Sequence, residues 1–181
     1  MRPLLVGLAL TLIACGGGPV IAEGTPSDLQ ELVEETLARI EAALPAHADC
    51  LDGLVITHAW ELDDRAAYRV ADRTIVLRVP ATAPHLEFSL AHEVAHHLDF
   101  GCGLEEGVRE AFLSAQGVAA DTPWDTAESW ESTPAELFAT AVATLVTGRS
   151  DPLRVILISD EAMEVVETWA TGSFTHSPSA P

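Results

Sequence analysis

The segment Ser89-Leu90-Ala91-His92-Glu93-Val94-Ala95-His96-His97-Leu98-Asp99 constrains the fold more than any other part of the chain. Leu90, Val94 and Leu98 recur every fourth residue, so a helix here carries an apolar stripe that seats it on a core. His92 and His96 are also four apart, and both imidazoles leave such a helix on one face. The helix is expected from about Leu86 to Asp99, after breaks at Pro80 and Pro84 and before stops at Gly101 and Gly103.

The flanking pattern completes an α+β order. Leu29, Leu32, Val33, Leu37, Ile40 and Leu44 recur at helical spacing, with Glu31, Glu34, Glu35 and Arg39 on the other face. Ser27 or Thr25 can cap this helix, and Pro45 stops it. Gly53 to Trp60 is strand-like, and Tyr68–Ala71 and Thr74–Val79 read as a hairpin turned through Asp72-Arg73. Leu104–Gln116 is a further helix, weakened by Gly107; residues 117–132 are irregular. Thr133–Thr147 is a helix ended by Gly148, and another follows from about Ser159 to Ala170. One helix, a small sheet, then helices makes a mostly helical α+β domain with a small N-terminal β-sheet.

The two histidines frame Glu93, and His-Glu-x-x-His is the geometry of zinc hydrolases. Both imidazoles can share one ion, while the Glu93 carboxylate reaches a water on that ion without binding it, as a general base. A catalytic zinc takes three protein ligands and keeps one open position. The metzincin continuation needs Gly at position 99 and His at 102; the chain has Asp99 and Cys102. Glu136, in Thr133-Pro134-Ala135-Glu136, starts the next long helix and is the third-ligand candidate. Thr133-x-x-Glu136 also matches a capping box, with Pro134 at the first helical position, so position alone leaves both roles open.

HEVAHHLD followed some forty residues later by PAELFA resembles the small gluzincins, zinc metallopeptidases whose third ligand is a downstream Glu. In particular it is similar to the anthrax lethal factor-like catalytic domains, where HExxHxxD precedes an ExFA segment. The resemblance spans residues 50–170 in element order, but only the two motifs are specific. It implies a zincin-like fold over residues 27–171, a Zn2+ held by His92, His96 and Glu136, Glu93 as general base, and a peptide or protein substrate.

Other residues are read around that site. Asp99 shares the face of the two histidines on a regular helix and either accepts a hydrogen bond from a ligand imidazole or faces water. His97, like His47 and His85, reads as a surface or outer-layer histidine, and His58 faces either a cleft or solvent. Tyr68 reads as a half-buried strand aromatic, which leaves the oxyanion donor unidentified. Trp124 and Trp130 either line the site or plug the core beneath a loop.

The first fourteen residues read as a secretory signal: Met1-Arg2-Pro3, then an apolar run too short to span a bilayer as a mature helix. Leu12-Ile13-Ala14-Cys15 looks like a bacterial lipobox, making Cys15 the lipidated residue and residues 15–26 an anchored linker. The tail over 172–181 reads as loose. Cys50 and Cys102 then form an even pair, a disulfide candidate in an exported domain. Nine basic residues, all Arg, oppose 28 acidic ones for a formal charge of −19, which excludes nucleic acid as a partner. Three functions fit: a lipid-anchored, extracytoplasmic zinc metallopeptidase; a non-catalytic zinc-binding lipoprotein; and a zinc amidase acting on cell-wall peptides. Retention of Glu93 favours the first over the second, and an acidic surface fits anionic wall polymers poorly.

Overall fold

A computed structural model describes residues 17–127 and 129–175. The apolar N-terminal run and the lipidation candidate Cys15 lie outside the described residues. The order is β1 (Val20–Ile21), α1 (Ser27–Ala43), β2 (Val55–Ala59), β3 (Ala66–Arg69), β4 (Thr74–Arg78), α2 (Ala83–His96), α3 (Glu106–Gln116), α4 (Pro134–Thr147) and α5 (Asp160–Ala170). The fold is α+β, as its element order implies.

The four strands form one mixed sheet in the order β1-β2-β4-β3. β1 and β4 both run parallel to β2, and β3 returns antiparallel on β4 with Ala67 opposite Val76. The expected hairpin is this β3–β4 pair, but its first strand is Ala66–Arg69 rather than Tyr68–Ala71, and its turn takes four residues, 70–73, rather than two. Its turn ends at Arg73, which takes the left-handed φ of 52°. Within the segment read as linker, Val20–Ile21 pairs with Val55–Ile56, so the sheet gains a strand there.

Helix α1 begins after Pro26 without a side-chain cap, so neither Ser27 nor Thr25 plays the expected role. Its apolar stripe meets α2 and α4, and Val33, Leu37 and Ile40 are buried in the common core. Helix α2 lies across the inner face of the sheet, and every residue from Phe88 to His96 is buried. It packs most extensively on α4. Both helices carry buried alanines (Ala91 and Ala95 on α2, Ala139 and Ala143 on α4), which permits close approach of their backbones. Phe112, Phe138 and Trp169 interlock edge-to-face behind them, with ring centroids 5.3 and 5.2 Å apart. Helix α5 starts at the predicted place, where Ser159 Oγ accepts from the Ala162 N–H at 3.1 Å.

Helix α2 does not continue regularly to Asp99. At His97 the winding widens into a π-turn over His97–Gly101, closed by the Cys102 N–H donating to the His97 carbonyl at 3.1 Å. Such turns displace every later side chain from the face it would hold on an α-helix. Gly101 is required where this turn meets the sheet. A Cβ there would sit 2.5 Å from the Tyr68 hydroxyl and 2.8 Å from His97 Nδ1.

Candidate metal centre

Three donor atoms converge between α2 and α4. His92 Nε2 lies 3.0 Å from Glu136 Oε2, His96 Nε2 lies 3.3 Å from the same oxygen, and the two imidazole nitrogens are 3.2 Å apart. His92 and His96 are buried on successive turns of α2. Glu136 arrives from the first turn of α4, whose start is set by Pro134. The capping alternative is not realised: Thr133 makes no side-chain cap, its hydroxyl donates to the Ser129 carbonyl, and the Glu136 carboxylate turns to the histidines.

The triangle fits a cation. Donors about 2.0–2.1 Å from a tetrahedral zinc are about 3.3–3.4 Å from one another, close to all three observed edges. The donor set is also of the kind a metal cation takes, because two imidazole nitrogens and a carboxylate oxygen meet at one place. Burial works against ionisation of Glu136, but hydrogen bonds from His92 and His96 outweigh it and hold the carboxyl at about 2. Burial likewise pushes the His96 imidazole down, and Glu136, Glu93 and Asp99 reverse this and leave it above its usual value. The group His92, His96 and Glu136 can hold a metal ion.

Glu93 stands beside the triangle without joining it. Its Oε2 accepts the Tyr68 N–H at 2.8 Å, a backbone group on the outer edge of β3. Burial raises its carboxyl above the usual range, against the pull of His92, His96 and that N–H. All four residues open onto a cleft of about 620 Å³ between β3, α2 and the chain after α4. One wall is tied by Arg65, which donates to both Asp151 oxygens at 3.0 Å.

That pair predicts an acid sensitivity. Burial opposes the Asp151 charge, yet Arg65 and the Leu153 and Arg154 N–H groups hold its pKa below the ordinary 3.8. A depressed carboxylate contributes stability above its unfolded pKa and loses it as pH falls through the folded one. Chemical denaturation should therefore show a stability advantage over Asp151→Asn that is constant above about pH 5 and shrinks below about pH 4. An advantage that grew on acidification would contradict the assignment.

Several sequence-based expectations change here. Asp99 makes no hydrogen bond to a ligand histidine. Its Oδ1 accepts from Arg109 at 2.7 Å and its Oδ2 from the Trp124 indole at 2.6 Å, while His96 Nδ1 is buried with no partner among the described residues. The widened turn at His97 carries Asp99 away from the imidazoles. It reaches His96 through charge alone.

His97 is fully buried rather than at the surface. Its Nε2 donates to the Cys50 carbonyl at 3.0 Å, so its Nδ1 accepts from the Tyr68 hydroxyl at 2.9 Å. Burial lowers the His97 pKa and favours this neutral form. The bond commits the Tyr68 hydroxyl to the core side, away from any oxyanion role. Cys50 and Cys102 form the expected disulfide against His97.

The two tryptophans divide. Trp130 lines the cleft and stacks on His92, with centroids 5.6 Å apart. Trp124 instead plugs the core against Phe112 and Phe138. His58 is not among the cleft residues, and His47 stacks on Trp169 at 4.1 Å. Sequence reasoning missed Arg154, whose guanidinium lies 3.9 Å from the Trp130 ring centroid inside the cleft. An isolated Arg in an aperiodic stretch offered no signal. No family model, no curated protein and no solved structure matches this chain.

Proposed function

We propose that this chain is a zinc-dependent peptide-bond hydrolase, held outside the cytoplasm by a lipid anchor at Cys15. The observation that carries the reading is the triangle of His92, His96 and Glu136 donor atoms with the Glu93 carboxylate beside it. His92, His96 and Glu136 would hold zinc, which would supply a Lewis acid and an acidified water. Glu93 stands where it would accept a proton and pass it to the leaving amine. The Tyr68 N–H holds Oε2 and leaves Oε1 free of a hydrogen bond among the described residues, so that Oε1 would be the oxygen to take the proton.

The outer edge of β3 supplies a place for an extended substrate. The Arg78 N–H donates to the Arg65 carbonyl, so residues 65, 67 and 69 turn their backbone groups toward β4. Ala66 turns both its groups and Tyr68 its carbonyl outward along the cleft, the Tyr68 N–H being held by Glu93. A peptide laid there gains main-chain hydrogen bonds while its scissile carbonyl lies beside the triad. The Cys50–Cys102 disulfide supports an oxidising compartment.

The test is zinc stoichiometry on the soluble chain beginning at Gly16, beside Glu136→Ala. The parent should hold one zinc per chain. Loss of a direct ligand should weaken binding by at least about a hundredfold, more than loss of an outer hydrogen-bond partner does. Undiminished zinc in the variant would remove Glu136 from the ligand set. A parent that takes up no zinc would remove the basis for a hydrolase.

A further inference from the structure

Of the three arginines that line the cleft, two have their head groups engaged. Arg65 is neutralised by Asp151, and Arg78 donates to the Leu62 and Asp63 carbonyls at 3.5 and 3.3 Å. Arg154 differs. Its guanidinium makes no hydrogen bond or ion pair among the described residues, although the chain carries 28 acidic residues against nine basic ones. Instead it lies over the Trp130 ring, whose other ring contact is His92.

Both partners of this stack are held in place. Trp130 opens a 3-10 turn fixed by a reciprocal box between Ser129 and Ser132. The Arg154 backbone is fixed by its N–H to Asp151, which Arg65 clamps in turn. The cation is therefore positioned before any ligand arrives, and its N–H edge remains unused. Resting on the hydrolase reading above, we infer that Arg154 is a specificity residue that binds a carboxylate of the substrate.

The unused planar fork favours this role over that of an oxyanion donor, and the experiment below separates the two. Taken end to end, the two ring contacts put the guanidinium within about 10 Å of the His92 ring, or about three residues of extended chain at ~3.3 Å each. An oxyanion donor must lie within hydrogen-bond reach of the scissile carbonyl oxygen. The stack with Trp130 holds Arg154 in the wall of the same cleft, where a neighbouring part of the substrate would pass. A planar fork with free donors suits a carboxylate, which accepts two parallel N–H bonds. In a cleft that also contains Asp63 and Asp64, an acidic substrate group is welcome only where that fork stands. The carboxylate is either a chain terminus or an Asp or Glu side chain, and the chemistry of recognition is the same.

The experiment measures binding without turnover. Zinc-loaded Glu93→Gln is titrated calorimetrically with acetylated hexa-alanine amide, with its free acid, and with amides carrying one Glu at each position in turn. Carboxylate peptides should bind about tenfold more tightly than the neutral amide, as a charge-assisted pair allows. Adding Arg154→Gln should erase that preference and leave the neutral amide unchanged, while Arg154→Lys should retain part of it. Preference for the free acid assigns a C-terminal carboxylate; preference for one Glu position assigns a side chain. Equal binding of all peptides by the parent overturns the inference, as does a preference that survives Arg154→Gln. So does equal weakening of acidic and neutral peptides, which is the signature of a structural or oxyanion role. Turnover by the chain with Glu93 intact is followed separately on the same peptides. Cleavage without a carboxylate preference removes the Arg154 subsite alone. A preference without cleavage of any peptide removes the hydrolase reading and leaves the subsite standing.

Discussion

Glu93→Gln should lower peptide hydrolysis by about 10³-fold while leaving one zinc per chain in place, the scale expected when a positioned general base is lost. The substitution is nearly isosteric, and the amide oxygen can still accept the Tyr68 N–H that now binds Oε2. No buried donor is orphaned, so the melting temperature should stay within a few degrees of the parent. Its contrast is Glu136→Ala, which should lose metal and activity together. Zinc stoichiometry, melting temperature and turnover on one set of peptides separate three outcomes. Metal retained with turnover lost supports the hydrolase. Metal and turnover both retained would sink the role of Glu93. A role in binding or assembly that persists unchanged in Glu93→Gln, with no turnover in either protein, would favour a non-catalytic zinc lipoprotein.

The elements that carry this site were visible as periodicities, because each buries a stripe against a neighbour. The α1 and α2 stripes and the Ser159 helix start lie where local spacing puts them, while the first hairpin strand begins two residues earlier, at Ala66. Strand β1 was hidden, since two residues contain no alternation, and Val20–Ile21 is a strand only through pairing with β2. The motif pair pointed to His92, His96 and Glu136, but whether Glu136 caps its own helix or meets the histidines depends on how closely α2 and α4 pack. That distance is set by alanines spread over two helices and not by either motif. Asp99 was misplaced for a definite reason: a helical wheel assumes constant pitch, and the pitch changes at His97. The one local trace of that change is Gly101, the residue that lets the turn approach Tyr68 and His97. Trp124 and Trp130 lie in an aperiodic stretch, so nothing in their spacing told the core plug from the cleft wall.

Asp99→Ala should destabilise the fold by about 3–5 kcal/mol, the range for removing one partner of a buried ion pair. The Asp99 side chain is 1% exposed and Arg109 only 25%. Asp99 is the common acceptor for two donors from different parts of the chain, the Arg109 guanidinium on α3 and the Trp124 indole N–H. Its removal leaves a partly buried cation and a buried N–H without their acceptor, and the Arg109–Glu106 contact at 3.8 Å is too exposed to replace it. Trp124 also packs on Phe112 and Phe138, so a shift of the indole propagates into the core behind α4. Denaturant unfolding measures the loss, and a double-mutant cycle with Arg109→Ala should show a coupling of about 1 kcal/mol or more. Zinc affinity gives the decisive contrast. If Asp99 serves α3 and Trp124, folded Asp99→Ala keeps its zinc affinity within about tenfold, below the 10–100-fold cost of losing a carboxylate that orients a ligand histidine. A larger loss of zinc affinity with little change in stability would return Asp99 to the imidazoles and contradict the geometry of the widened turn.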